Sequence, residues 1–286
     1  MNTKMIVCCH KKDVMATLDP YLPIQVGKAI SSVDIGIQGD DTGNHISTKN
    51  GSYCELTGMY WAWKNLKDVD IIGLCHYRRY FDFHDQCQCF IPLTEFSSSE
   101  FNSIDLSIPD KYLYKVARGK IIVAKKLHYW ETLKQDYCRC HIGDDYRIMS
   151  RIVHKTQPEE IGAAFDKVVK NGNKLIHYNM FLMRWRDFDA YCNWLFHLLS
   201  DIEKETDISH YSNTQKRIYG YMAERLFNVW LNAYHRKDIL EMPIIWFVDN
   251  PKGHKNVLLW KLRDKVWDVI NRINVFSHSL SNIKDY

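Results

Sequence analysis

The chain has 286 residues, 46% hydrophobic and 25% charged, enough for the core of one large α/β domain or of a domain with an appendage. Its net charge is +4, and the segment from Pro251 to Tyr286, with seven Lys/Arg against three Asp, carries all of that excess. The body is therefore neutral, which excludes general nucleic-acid binding, a function that needs a broad basic face.

Lys4–Cys9 (KMIVCC) reads as the first strand, and His10-Lys11-Lys12-Asp13 as the loop leaving it. Pro20, Pro23 and Gly27 punctuate the next stretch. Residues 35–50 (IGIQGDDTGNHISTKN) are rich in Gly, Asp, Asn and Thr and predict a loop near a site. Within it, Gly39-Asp40-Asp41 suits a ribose or sugar hydroxyl. A helical pattern begins at Ser52. Ser52 and Glu55 fit a capping box, and Leu56, Met59, Tyr60 and Trp63 fall on one face.

Asp68-Val69-Asp70 has the D-x-D form that holds a metal on the diphosphate in many nucleotide-sugar transferases. It precedes an apolar strand, whereas ligands gather at the carboxyl ends of strands, so a turn is expected. That strand, 71–75, ends in His76, Tyr77, Arg78 and Arg79. Two guanidiniums delivered to the end of a buried strand build a site for an anion, because the planar fork suits phosphate oxygens and its charge persists at any working pH. The alternative is pairing of both arginines with surface carboxylates. Asp82, close by, leaves a divalent cation as a further alternative.

Residues 84–118 read as irregular and 120–124 as a strand. Helices are expected over 128–137, 144–154, 158–170, 188–202 and 215–234, and a strand over 175–183 (LIHYNMFLM). Gly143-Asp144-Asp145 follows His141 and opens a helix, where Asp144 is an N-cap or a site residue. Strands alternating with helices from 4 to about 183 predict a mostly parallel sheet covered by helices. Glu224 lies within an otherwise apolar helical run, YGYMAERLFNVWL. It must meet water, a partner or a site. It acts either as a general base with a raised pKa or as an ion pair with Arg217 or Arg225.

The tail is a separate unit. Leu259, Leu262, Val266, Val269 and Ile273 recur at helical spacing, Trp260 and Trp267 flank them, and Lys261, Arg263, Lys265 and Arg272 lie mostly elsewhere around the helix. Such a basic amphipathic helix lies on an anionic membrane or packs against the body. Two units follow, 1–250 and 251–286.

Nine cysteines, including Cys87-x-Cys89 and Cys138-x-Cys140, lack the C-x₂₋₄-C spacing of zinc knuckles. No signal peptide and no apolar stretch of ~18 residues is present, so a reducing, cytoplasmic setting with free thiols is expected. P-loop, dinucleotide-binding G-x-G-x-x-G and G-x-S-x-G motifs are absent, which disfavours those enzyme classes.

The stretches IVCCHKKD (6–13), YLPIQVGKAI (21–30), IGIQGDDTGNHIS (35–47), YCELTGMYWAWKN (53–65), IGLCHYRRYF (72–81), AFDKVVKNGNKLIHYNMFLM (164–183) and YSNTQKRIYGYMAERLFNVWL (211–231) together resemble one bacterial family. It was long filed as a domain of unknown function in capsule, exopolysaccharide and O-antigen clusters. It is similar to GT-A-type (Rossmann-like) glycosyltransferases. The resemblance covers about residues 4–235, leaves out the tail, and implies galactofuranosyl transfer from a UDP-sugar to a saccharide acceptor. It also implies inversion and no metal. Under that reading Arg78 and Arg79 stabilise the departing diphosphate and Glu224 takes the acceptor proton. His10, Lys11, Asp40, Asp41, Asn44, Tyr53, Glu55, His76 and Tyr77 hold the donor. His141, Asp144, Asn179, Arg217 and Arg225 are candidates on the acceptor side. The acceptor would be lipid-linked, with residues 256–273 holding the enzyme at the inner face of the cytoplasmic membrane. A non-catalytic carbohydrate-binding or scaffold subunit is the alternative from another class.

Overall fold

The computed structural model describes residues 1–87, 92–252 and 257–281; Cys89 and Asn256, named above, lie outside them. The chain opens with β1 (Thr3–Cys9), β2 (Tyr21–Gln25) and the two-residue β3 (Gln38–Gly39), then α1 (Asn50–Tyr53), α2 (Leu56–Asn65) and β4 (Ile71–His76). A tight turn leads back into β5 (Arg79–Phe81), followed by β6 (Leu93–Ser97), α3 (Asp110–Ala117), β7 (Ile121–Ala124) and β8 (Leu127–His128). Next come α4 (Leu133–Cys140), α5 (Gly143–Thr156), α6 (Glu159–Phe165), β9 (Lys174–Leu175) and β10 (Phe181–Arg184). The remaining elements are α7 (Trp185–Glu203), α8 (Ile218–Tyr234), β11 (Ile239–Met242), β12 (Ile244–Val248) and α9 (Val257–Ser281).

The main sheet runs β11-β7-β10-β4-β1-β2-β3, with β5, β12 and β6 branching from β4. It is mostly parallel along this path, as expected: β1 pairs in parallel with β2 and β4, β2 with β3, and β7 with β11. β10 runs against both β4 and β7. Two antiparallel steps restore direction, so the carboxyl ends of β1, β4, β7 and β11 share one edge of the sheet. The strands 5–9, 71–75 and 121–124 are wholly buried, because helices cover both faces.

Five local expectations are corrected. The helix expected from Ser52 breaks at Cys54, whose φ is 52°. The capping box does not form. Ser52 Oγ donates to the Lys49 carbonyl (3.2 Å), and Glu55, at the start of α2, makes no side-chain cap. The strand expected over 175–183 splits into β9 and β10 around Tyr178 and Asn179, which have φ values of 72° and 50°. Residues 84–118 contain β6 and α3. Residues 128–137 begin as strand, and Thr132 then caps α4 by accepting from the Gln135 N–H (3.2 Å). Additionally β2, with Pro23 inside it, pairs along β1. The short β3 does not reach Pro23, so a missing N–H is tolerated there. Asp68-Val69-Asp70 forms the turn expected, with the Asp70 carboxylate accepting from the Asn2 N–H (2.7 Å).

Candidate active site

At the shared carboxyl edge lies a cavity of about 670 Å³. Its floor is Cys8 and His10 from the end of β1 and His76 and Tyr77 from the end of β4. The break after α1 supplies Cys54 and Glu55, the kink before β10 supplies Tyr178, and the start of α8 supplies Arg217, Tyr221 and Glu224. Arg79 enters from β5.

The two adjacent arginines part company. Arg79 Cζ sits 4.8 Å from the ring centroids of both Tyr178 and Trp246, so its guanidinium lies between two aromatic faces. Trp246 is its cross-strand neighbour on β12. The Arg79 Nε is buried without a hydrogen-bond partner. Arg78 occupies the turn and points elsewhere: it donates to Asp13 (2.9 Å) and Asp249 (3.0 Å). It does not line the cavity. The second cavity guanidinium is instead Arg217, whose Nε donates to Cys54 Sγ (3.3 Å).

Two carboxylates face the same space. Glu55 accepts from Asn179 Nδ2 (2.7 Å), and burial raises its pKa to about 7 despite that bond, with Glu224 adding to the rise. Glu224 accepts from the Tyr178 N–H (2.8 Å) and lies 3.5 Å from Arg225. Burial and the nearby Arg79 lower the His76 pKa to about 4. Its Nε2 meets the Tyr178 carbonyl (2.8 Å), and a carbonyl only accepts, so neutral His76 donates there. Tyr178 is thus held by both backbone groups, N–H to Glu224 and C=O to His76. That clamp maintains two consecutive non-glycine residues at positive φ, a strained arrangement typical of functional sites.

Among the donor-side candidates, His10, Glu55, His76 and Tyr77 line the cavity, and Lys11, Asp40, Asp41, Asn44 and Tyr53 do not. Asp40 is buried and accepts from the Gly27 (2.9 Å) and Lys28 (3.1 Å) N–H groups and from Ser47, so it builds the loop. The Asp41 carboxylate and the Lys28 side chain crowd the Cα of Gly39, where a Cβ would meet them. Lys11 pairs with Asp13 (3.4 Å), and Asn44 Oδ1 accepts from Tyr60 (3.3 Å). Tyr53 is core, donating to Glu203 (3.1 Å).

Of the acceptor-side candidates, only Arg217 lines the cavity directly. Asn179 reaches Glu55. His141 stacks behind Tyr221, with centroids 4.1 Å apart, and Arg225 is buried behind Glu224 against Asp136 (3.1 Å). Asp144 is exposed and paired with Arg147. Asp82 also stays out: it accepts from the His84, Gln86 and Cys87 N–H groups. Among the described residues no group of three or more His, Cys, Asp or Glu is placed to hold a metal, and the described cysteines are free. Tyr178, Tyr221, Asn50 and Trp246 were not singled out from sequence. The polar triplet His177-Tyr178-Asn179 inside an apolar run was the available signal for the first.

The family model described as a domain of unknown function (DUF4422) matches residues 4–237. The chain belongs to that family. Its fold is similar to the apo structure of WbbM, a bifunctional glycosyltransferase, with a TM-score of 0.76 and 29% identity. The match covers 89% of this chain and 47% of that one, so the chain spans about half the length of WbbM. No curated protein matches. The DUF4422 match takes in every cavity-lining residue and ends before β11, β12 and α9, so Trp246, which closes over Arg79, stands outside it.

Proposed function

We propose that this DUF4422 member is a glycosyltransferase that moves a hexosyl group, specifically galactofuranosyl, from a UDP-sugar to a saccharide hydroxyl with inversion and without a metal. The observation that carries the reading is one cavity holding two guanidiniums and two carboxylates at the carboxyl edge of the sheet. The likeness to WbbM supports it.

In this reading Arg79 and Arg217 meet the diphosphate, and their charge offsets the negative charge that grows on the leaving oxygen. The acceptor oxygen bonds to the anomeric carbon as the bond from that carbon to the diphosphate oxygen breaks. Its electron pair departs with UDP, and the acceptor proton passes to a carboxylate. Glu224 and Glu55 are the two carboxylates within the cavity. Glu55 is the better matched, because a base titrating near neutrality is efficient. Glu224 already holds the Tyr178 turn in place. Arg78 acts at one remove, fixing the β4–β5 turn through Asp13 and Asp249. The acceptor is lipid-linked, and residues 256–273 bring the enzyme to the anionic inner face of the cytoplasmic membrane.

Calorimetric titration with UDP, followed by a turnover screen of UDP-sugars that includes UDP-galactofuranose in EDTA, tests the reading. UDP binding and EDTA-resistant transfer are expected. Absence of UDP binding would leave a carbohydrate-binding subunit instead, and loss of transfer in EDTA would bring back a metal.

A further inference from the structure

The tail helix α9 shows two unlike sides. One side is fixed to the body. Asp268 accepts from Lys174 (2.7 Å) and Asn173 (3.2 Å) and stands 3.1 Å from His128, and Asn271 donates to the Asn171 carbonyl (3.1 Å). Trp260 and Trp267 lie on the flank, with the Arg263 guanidinium over both rings at 3.5 and 4.3 Å. The opposite side carries Leu259, Leu262, Val266, Val269 and Ile273, all 47–63% exposed. These five form one stripe ~21 Å long at 1.5 Å per residue. The stripe is therefore not what docks the helix. A continuous aliphatic face of that length turned to solvent marks an interaction surface.

Charge identifies what it meets. Lys261, Lys265 and Arg272 are exposed along one margin of the stripe. Beneath that margin opens a second cavity of about 380 Å³, between α9 and the ends of β7 and β11. Lys125, Lys126, His128, Lys261 and Lys265 line it, together with Leu262 of the stripe itself. Two carboxylates also line it, Glu241 paired with the pocket's own Lys126 (2.9 Å) and Asp264 with Arg263 (2.7 Å), so four lysines against two acids leave the pocket basic. An aliphatic face bordered by a basic pocket matches a surface whose interior is hydrocarbon and whose boundary is phosphate.

We infer that α9 lies in the interface of an anionic membrane, stripe in the acyl region, with a phospholipid phosphate seated among Lys125, Lys126, Lys261 and Lys265. β7 and β4 run in the same direction, so this pocket opens on the same sheet edge as the 670 Å³ cavity. The membrane then lies beside the mouth where an acceptor enters. This last point rests on the transferase reading; the lipid site does not.

The test is sedimentation of the full chain with vesicles of phosphatidylcholine, and of phosphatidylcholine mixed with phosphatidylglycerol, with UDP binding measured on the same samples. Binding to the mixed vesicles, weakened by salt, is expected, together with little binding to phosphatidylcholine alone. Val266→Asp with Val269→Asp should abolish it while the circular dichroism and the UDP affinity stay unchanged. Lys261→Gln with Lys265→Gln should weaken partitioning roughly thirty-fold. Lys125→Gln with Lys126→Gln, away from the helix, should weaken it as well. Equal binding to both vesicle types, or unchanged binding in the Asp double variant, overturns the inference. So does a stable dimer that the Asp double variant dissociates, because the stripe would then cover a second copy. Vesicle binding without UDP binding would uphold the lipid site and sink the transferase reading alone.

Discussion

Arg79 presents its charge between the rings of Tyr178 and Trp246, each 4.8 Å away. A planar guanidinium stacks in that slot and keeps its edge for a ligand; an ammonium does not. Arg79→Ala should weaken UDP binding or turnover about 10²-fold, and Arg79→Lys should recover little of it, as calorimetry and initial rates will read. Arg78→Ala should leave UDP affinity unchanged and cost about 1–2 kcal/mol of stability, because it loses only the Asp13 and Asp249 bonds. A reversed pattern would return the site to the neighbouring arginine. Glu55 gives a second, sign-specific expectation. Its folded pKa of about 7 exceeds the ordinary 4.5, so the folded state holds the extra proton between those values. Stability therefore falls as pH climbs through that window, by an amount on the order of 3 kcal/mol. Glu55→Gln should raise the melting temperature at pH 8, leave it unchanged at pH 4, and remove the rise of turnover with pH. An unchanged pH–rate profile would sink Glu55 as the base.

At the scale of elements, the site is made where regular structure stops. Cys54 interrupts the helix expected from Ser52, and that break turns Glu55 from a cap into a cavity wall. The Tyr178–Asn179 kink likewise ends β9, starts β10 and aims the tyrosine ring at Arg79. Neither break follows from local propensity. Each is held by partners distant in sequence, Arg217 at Cys54 and Glu224 and His76 at Tyr178. The unbroken elements were legible, as the buried runs 71–75 and 121–124 and the amphipathic helices α7 and α8 show. Gly73 lies in β4 between β1 and β10. A Cβ there would come 2.5 Å from Met5 Sδ and 2.9 Å from the Phe181 carbonyl oxygen, a backbone atom that cannot swing away. Gly73→Ala should cost about 1–3 kcal/mol in urea unfolding. A neutral result would show that β1 and β10 can spread apart around β4.

Across the whole molecule, two antiparallel pairings about β10 bring the ends of β1, β4 and β7 to one edge, and both cavities open there. α9 is tied to the small β8–β9 sheet through Asp268. Although burial acts to raise its pKa, the bonds from Lys174 and Asn173 hold the carboxyl below its usual range. A depressed folded pKa adds stability above the unfolded value that is lost as pH falls. Asp268→Asn should therefore lower the melting temperature near neutrality by about 1 kcal/mol or less in equivalent stability, and the difference should vanish in acid. A constant difference across pH would show that packing, not the ion pair, seats the helix. By itself the sequence determined the period of each buried segment, the mostly parallel α/β class and the charge of the tail, because these follow from side-chain patterning within a single element. Only the tertiary structure decided which arginine reaches the cavity, which glutamates wall it and which side of α9 is left exposed. Those depend on pairing, stacking and burial between residues far apart along the chain, and a strand turn of two residues is enough to send neighbouring side chains in different directions.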